Sequence, residues 1–123
     1  MLDFETKPII AMLHLKGDSD EEIMERMIKE AEIYYRNGID AVMVENYFGD
    51  TENCVQALEY LRQNMPDKLY GVNILGDYKT AFELAEKYGA DFVQIDSVCG
   101  HLKPEKDFAY ADELIGNMKG RSF

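Results

Sequence analysis

The sequence predicts an α/β fold: a parallel (βα)4 half of a (β/α)8 barrel, on a single βα-repeat domain covering residues 1–123. Three observations lead there. Four short apolar runs alternate with four amphipathic stretches, and alternation of that kind with short connections builds a parallel sheet. The run Gly38-Ile39-Asp40-Ala41-Val42-Met43-Val44-Glu45-Asn46 returns downstream as Gly89-Ala90-Asp91-Phe92-Val93-Gln94-Ile95-Asp96-Ser97, so one supersecondary unit is used twice. Each copy closes on a carboxylate, Glu45 or Asp96, where a parallel strand opens onto the face that carries chemistry in βα barrels.

Residues 1–7 are a polar lead-in. The run Ile9-Ile10-Ala11-Met12-Leu13, ending at His14, is apolar on both parities, as in a strand buried on both faces. Ser19 followed by Glu22 makes a capping-box start. Ile23, Met27, Ala31 and Tyr34 then recur at helical spacing up to Asn37-Gly38, where glycine supplies a left-handed cap. The Tyr34-Tyr35 pair reads as helix-to-helix packing. The second strand covers 41–46. A loop through Gly49-Asp50-Thr51 leads to a second helix with Val55, Leu58, Leu61 and Met65 on one face and Pro66 as its stop. The third strand covers 70–75, and Gly76-Asp77 turns into a third helix carrying Ala81, Leu84, Ala85 and Tyr88, closed by Gly89. The fourth strand covers 92–97. Pro104 suits the first turn of a fourth helix with Phe108, Leu114, Ile115 and Met118 inward. The regular repeat favours a barrel over a doubly wound sheet, which breaks regularity at a switch point. A barrel of this type takes about 250 residues. The chain therefore supplies the N-terminal four of eight units, with the C-terminal half absent from it.

Composition narrows the function classes. Hydrophobic residues make up 46%, with eight Tyr and six Phe, which argues for a packed core against disorder. Net charge is −11, from 24 acidic and 13 basic residues, and such a chain is repelled by nucleic acid and by anionic membrane surfaces. The longest apolar run falls far short of the roughly 20 residues a membrane span needs. No basic-then-apolar leader precedes Pro8, and the two cysteines, Cys54 and Cys99, lack zinc-ligand spacing. Together these point to the cytoplasm.

Side chains alternate across a strand, so parity decides which groups meet. Val42 and Val44 share one face and Met43 and Glu45 the other; Val72 and Ile74 oppose Gly71 and Asn73; Val93 and Ile95 oppose Gln94 and Asp96. β-branched residues suit the helix-covered face, which turns His14, Glu45, Asn73 and Asp96 into the lumen near its C-terminal mouth. His14, Glu45 and Asp96 are the catalytic candidates, with Asp96 as an electrostatic partner or metal ligand. Asn46, Asn73 and His101 are the substrate-binding candidates. No metal set and no cofactor is assigned, and no glycine-rich phosphate loop occurs.

The segments Lys7-Pro8-Ile9-Ile10-Ala11-Met12-Leu13-His14-Leu15, Gly38 to Asn46 as written above, Gly71-Val72-Asn73-Ile74-Leu75 and Gly89-Ala90-Asp91-Phe92-Val93 together resemble the BtpA/SgcQ family. The resemblance implies a TIM-barrel fold. It also implies a role either in photosystem I biogenesis or as an enzyme of sugar or nucleoside metabolism. His14, the Glu45-Asn46 pair and Asn73 match the family's strand-end positions. The family's proline-rich loop after the first strand is replaced here by Lys16-Gly17-Asp18, and Gln94 and Asp96 stand where many members carry Arg and Asn. Two readings stay open. One is an enzyme acting on a small polar metabolite, phosphorylated or ribosyl-bearing, at the strand ends. The other is a non-catalytic assembly factor or an inactive half-barrel. A half-ring also leaves edge strands and apolar lumen residues such as Met12, Met43 and Phe92 uncovered, so a homo-oligomer, or pairing with a missing C-terminal half, is expected.

Overall fold

The computed structural model describes residues 1–99 and 109–123. Four strands, β1 (Ile10–Leu13), β2 (Ala41–Glu45), β3 (Leu69–Asn73) and β4 (Phe92–Val93), form one sheet in the order β1-β2-β3-β4. All three pairings are parallel, with Met12 opposite Met43, Glu45 opposite Asn73 and Gly71 opposite Phe92. Between them run α1 (Asp20–Arg36), α2 (Thr51–Asn64) and α3 (Tyr78–Tyr88), and α4 (Ala111–Met118) follows. The architecture is the (βα)4 half of a (β/α)8 barrel.

The helix-side core gathers Leu13, Val42, Val44, Tyr70, Val72 and Ile74 from the sheet with Met27, Ala31, Leu58, Leu61, Ala81 and Ala85 from the helices. These are the parities expected to face outward. The sheet is bound to its helices by hydrogen bonds as well. Tyr35 Oη donates to Leu69 O at 2.6 Å, so this tyrosine joins helix to sheet, not helix to helix, and Tyr70 Oη donates to Tyr88 O at 2.6 Å.

Helix starts follow local chemistry. Ser19 Oγ accepts from the Glu22 N–H, but the Glu22 carboxylate reaches back to the Asp18 N–H, one residue beyond a strict capping box. The reciprocal box sits instead on α2, where Asp50 and Asn53 each accept from the other's N–H. At the end of α1, the Ile39 N–H bonds Tyr34 O and the Gly38 N–H bonds Tyr35 O, the Schellman pattern, with Gly38 at φ 84°. Gly89 closes α3 at φ 69°.

Several expectations need correction. β1 ends at Leu13 as read, just ahead of Leu15 at φ 59°, but β3 stops at Asn73 instead of Leu75 because the Asp77 N–H turns back onto Ile74 O. With β3 ended, β4 has no ladder partner beyond Gln94, whose N–H bonds Val72 O, and it spans two residues instead of six. α2 buries Cys54, Ala57, Leu58 and Leu61, leaving Val55 and Met65 half-buried at the margins. α4 begins at Ala111, not Pro104. Of its expected inward residues Leu114 is buried against Phe82, while Ile115 and Met118 are exposed, because among the described residues α3 is the one helix packed beside α4. Pro104 and Phe108 lie outside the described residues. A short parallel pair, β5 (Val98–Cys99) with β6 (Ala109–Tyr110), was not foreseen. On the lumen side Met43 is 2% exposed and Met12 and Phe92 are half-buried. The lumen is less bare than a flat arc implies, because the Phe92 ring folds across Gly71, the register partner of Met43.

Candidate functional site

The ends of β1, β2 and β3 and the turn after β4 each deliver one polar side chain to the C-terminal mouth of the arc. His14 follows β1, Glu45 is the last residue of β2, Asn73 is the last residue of β3, and Asp96 lies three residues past β4. The register pairs Glu45 with Asn73, so their like-parity side chains stand side by side. Asn73 Nδ2 donates to Glu45 Oε1 and to Asp96 Oδ1, each at 2.8 Å, and His14 Nε2 lies 3.1 Å from Glu45 Oε2. The result is a continuous chain, His14–Glu45–Asn73–Asp96, spanning the whole sheet.

Its members differ in exposure. Asn73 and Glu45 are buried, Asp96 is exposed, and the His14 side chain is 40% exposed. A buried carboxylate is tolerated only where its oxygens are bonded. Here Asn73 and His14 take one oxygen each. The contacts leave His14 Nδ1 as the ring nitrogen for a ligand, with the Asp96 carboxylate at the other end of the chain. That is the arrangement of an acid–base group held by a fixed carboxylate.

Sequence reasoning missed the neighbours that hold His14. Tyr47 and Phe48, in the loop after β2, pack on its ring at centroid distances of 4.9 and 6.2 Å and on each other at 4.8 Å. The Phe48 N–H bonds His14 O at 3.0 Å, and Lys16 Nζ stands 5.1 Å from the Phe48 ring centre. Leu15, buried and left-handed, turns the chain between these contacts at a cost of about 1–2 kcal/mol. The available signal was a pair of aromatic residues in an otherwise polar loop directly after Glu45-Asn46. Met12, His14, Leu15 and Lys16, with Arg26, Glu30, Tyr34 and Phe48, line a cleft of about 200 Å³ beside the open edge of β1.

Asn46, expected to bind substrate, has its Oδ1 on the Leu75 N–H at 2.8 Å and so braces the loop after β3 against the loop after β2. His101 lies outside the described residues. Cys54, on α2, is buried, and burial first, then the Asp50 and Glu45 charges, push its thiol up to about 12, which keeps it protonated and unreactive. Among the described residues no group of three or more His, Cys, Asp or Glu is arranged to hold a metal ion. Between Glu45 and Asp96, the Asn73 amide donates to both carboxylates, where a shared cation would otherwise sit.

Comparison with known proteins agrees with the architecture. The profile of the BtpA family matches residues 5–107. An uncharacterized protein of Thermococcus kodakarensis is 34% identical over 93% of this chain and 48% of its own length. An uncharacterized protein of Methanocaldococcus jannaschii is 30% identical over 98% of this chain and 49% of its own, and one of Pyrococcus furiosus is 29% identical over 80% and 45%. The chain thus spans about half the length of the curated relatives it matches. No solved structure matches it. Among the described residues no helix is long and apolar enough to cross a membrane. With the family profile covering most of its length and every strand of its half-barrel, the chain belongs to the BtpA family.

Proposed function

We propose that the mouth of the arc binds a small, hydroxyl-rich metabolite of the ribosyl class and that His14 transfers a proton on it. The observation that carries this reading is the His14–Glu45–Asn73–Asp96 chain, in which one end is an exposed carboxylate and the other a half-exposed imidazole. Glu45 holds the imidazole, Asn73 sets the spacing of the two carboxylates, and Asp96 accepts hydroxyl hydrogens from the ligand. Asn46 keeps the neighbouring loop in place. His101 belongs to the same reading as a second polar contact. Two carboxylates favour hydroxyl donors over a phosphate, and Lys16 is the nearby cation that a phosphorylated ligand would use. A cytoplasmic setting is part of the reading, supported by the two cysteines without zinc-ligand spacing.

Isothermal titration calorimetry with D-ribose and with D-ribose 5-phosphate tests it. We expect saturable one-site heats, stronger for ribose, abolished in Asp96→Ala and retained in Gln63→Ala on the outer face of α2. In deuterated water, His14 taking a proton from the carbon beside the sugar's carbonyl group and returning deuterium from solvent should be seen by proton NMR as exchange of that hydrogen, lost in His14→Asn. Absence of binding by either sugar, or binding untouched by Asp96→Ala, would overturn the proposal.

A further inference from the structure

Resting on the reading of the mouth as a site for a hydroxyl-rich metabolite, we propose that Tyr47 is the stacking platform for a closed sugar ring. Its aromatic face takes the carbon–hydrogen face of the ligand, and the ligand's hydroxyls turn to the neighbouring carboxylate chain.

Bare aromatic surface is concentrated at the mouth. Among the described residues the exposed Phe and Tyr side chains are Phe4, Tyr47 and Phe48, at 77%, 59% and 55%. Phe4 belongs to the lead-in before β1. The other two stand together in the loop after β2, directly beyond Glu45 and Asn46, and pack on the ring of His14. Neither belongs to the helix-side core. Every other described Phe or Tyr is at least partly packed away, so the fold buries such residues where they serve only packing. Exposed aromatic surface beside converging polar groups is the make-up of a small-molecule site.

The two rings are not equivalent. The Phe48 N–H bonds His14 O at 3.0 Å, and Lys16 Nζ lies over the Phe48 ring, 5.1 Å from its centre. Phe48 thus anchors the loop. Tyr47 touches the rings of His14 and Phe48, at centroid distances of 4.9 and 4.8 Å, and its hydroxyl bonds no described residue. It is held in place and still more than half bare. A ring fixed beforehand loses little freedom on meeting a ligand.

The same neighbourhood decides the occupant. A wholly apolar ligand would set carbon against the carboxylates of the mouth and cost them their hydration. An open-chain polyol would leave the Tyr47 ring unused. A sugar ring carries both surfaces at once: hydroxyls around its edge, and a face of polarised C–H bonds that meets the negative face of an aromatic ring favourably. The His14 ring beside Tyr47 has its Nε2 on Glu45, so a sugar laid on Tyr47 has its edge at the His14 end of the chain.

Isothermal titration calorimetry with D-ribose and with ribitol, its open-chain polyol, tests this on the wild type, Tyr47→Phe and Tyr47→Leu. Ribitol offers the hydroxyls without a ring face, and Tyr47→Leu keeps apolar bulk without an aromatic one. Position 47 is exposed, so both variants should keep their far-ultraviolet circular dichroism. We expect the wild type and Tyr47→Phe to bind ribose about tenfold more tightly than ribitol. Tyr47→Leu should bind the two alike, with its ribitol affinity unchanged. A displaced His14 would instead weaken both ligands together, so the split separates stacking from support of the imidazole. In proton NMR the ribose C–H signals should move upfield on binding to the wild type and to Tyr47→Phe, but not to Tyr47→Leu. A wild type without preference for ribose, a preference kept in Tyr47→Leu, or both ligands weakened alike in that variant overturns the proposal. With ribose still bound and still lost in Asp96→Ala, those outcomes leave the reading of the mouth standing. Absence of ribose binding overturns both.

Discussion

Asn73 gives both hydrogens of its amide to carboxylates from separate elements, Glu45 on β2 and Asp96 in the turn after β4, which makes it the least replaceable side chain of the mouth. Asn73→Leu keeps the branching and heavy-atom count of the side chain but leaves Glu45 buried with one oxygen unbonded. We expect a loss of about 1–3 kcal/mol in urea denaturation, and a smaller loss for Asp96→Asn because Asp96 is exposed. Gly71 is constrained by approach: a Cβ there would fall 2.3 Å from a Phe92 ring carbon. Gly71→Ala should therefore destabilise by about 1–3 kcal/mol through overpacking, and Phe92→Leu in the same chain should recover part of it. Much of this was legible from parity. Glu45, Asn73 and Asp96 fall on one face once Val42, Val44, Val72 and Val93 are assigned to the helices. The aromatic packing on His14 was not legible, because it depends on a left-handed Leu15, which is not a residue that advertises that conformation.

At the scale of single elements, the repeat predicted that Gly38 and Gly89 end their helices alike, and both have positive φ. Nothing lies within 4 Å of a Cβ built on Gly38, so only backbone strain opposes a side chain there. Gly38→Ala and Gly89→Ala should each cost about 1 kcal/mol. Gly116, inside α4 with equally open space and no positive φ, is the control: Gly116→Ala should stabilise by about 0.5–1 kcal/mol. Thermal melts of the three variants separate conformation from crowding. Helix faces at the centre of the arc were legible because a full ring of neighbours imposes one apolar stripe. The ends were not. Among the described residues α4 has a helix neighbour on one side only, so its apolar residues did not tell which face is inward, and Pro104 suggested a start earlier than Ala111. β4 was read as long because its sequence repeats that of β2, but a strand extends only as far as its partner, and β3 turns away at Ile74.

The whole molecule stores acid groups in its helix-side core. Burial raises the Cys54 thiol from an ordinary 9.0 to about 12, and burial likewise raises the hydroxyls of Tyr35 and Tyr70 above 10.0. A group whose pKa is raised by folding lends stability that is complete below its unfolded value and is lost as pH climbs toward the folded one. The urea midpoint should hold steady up to pH 9.0 and then fall between there and about 12, with a shallower fall in Cys54→Ala once its own cavity cost is subtracted. A midpoint unchanged across that window would show that these groups are not buried as described.

The central claim is that separate strand ends deliver one bonded unit, and the Asn73 side-chain amide reports on it most directly. In proton–nitrogen correlation spectra, both Asn73 amide hydrogens should exchange slowly with solvent. Glu45→Gln and Asp96→Asn should each shift them, because each variant changes one of the two acceptors. Rapid exchange of both hydrogens in the wild type, with resonances indifferent to both substitutions, would contradict the account.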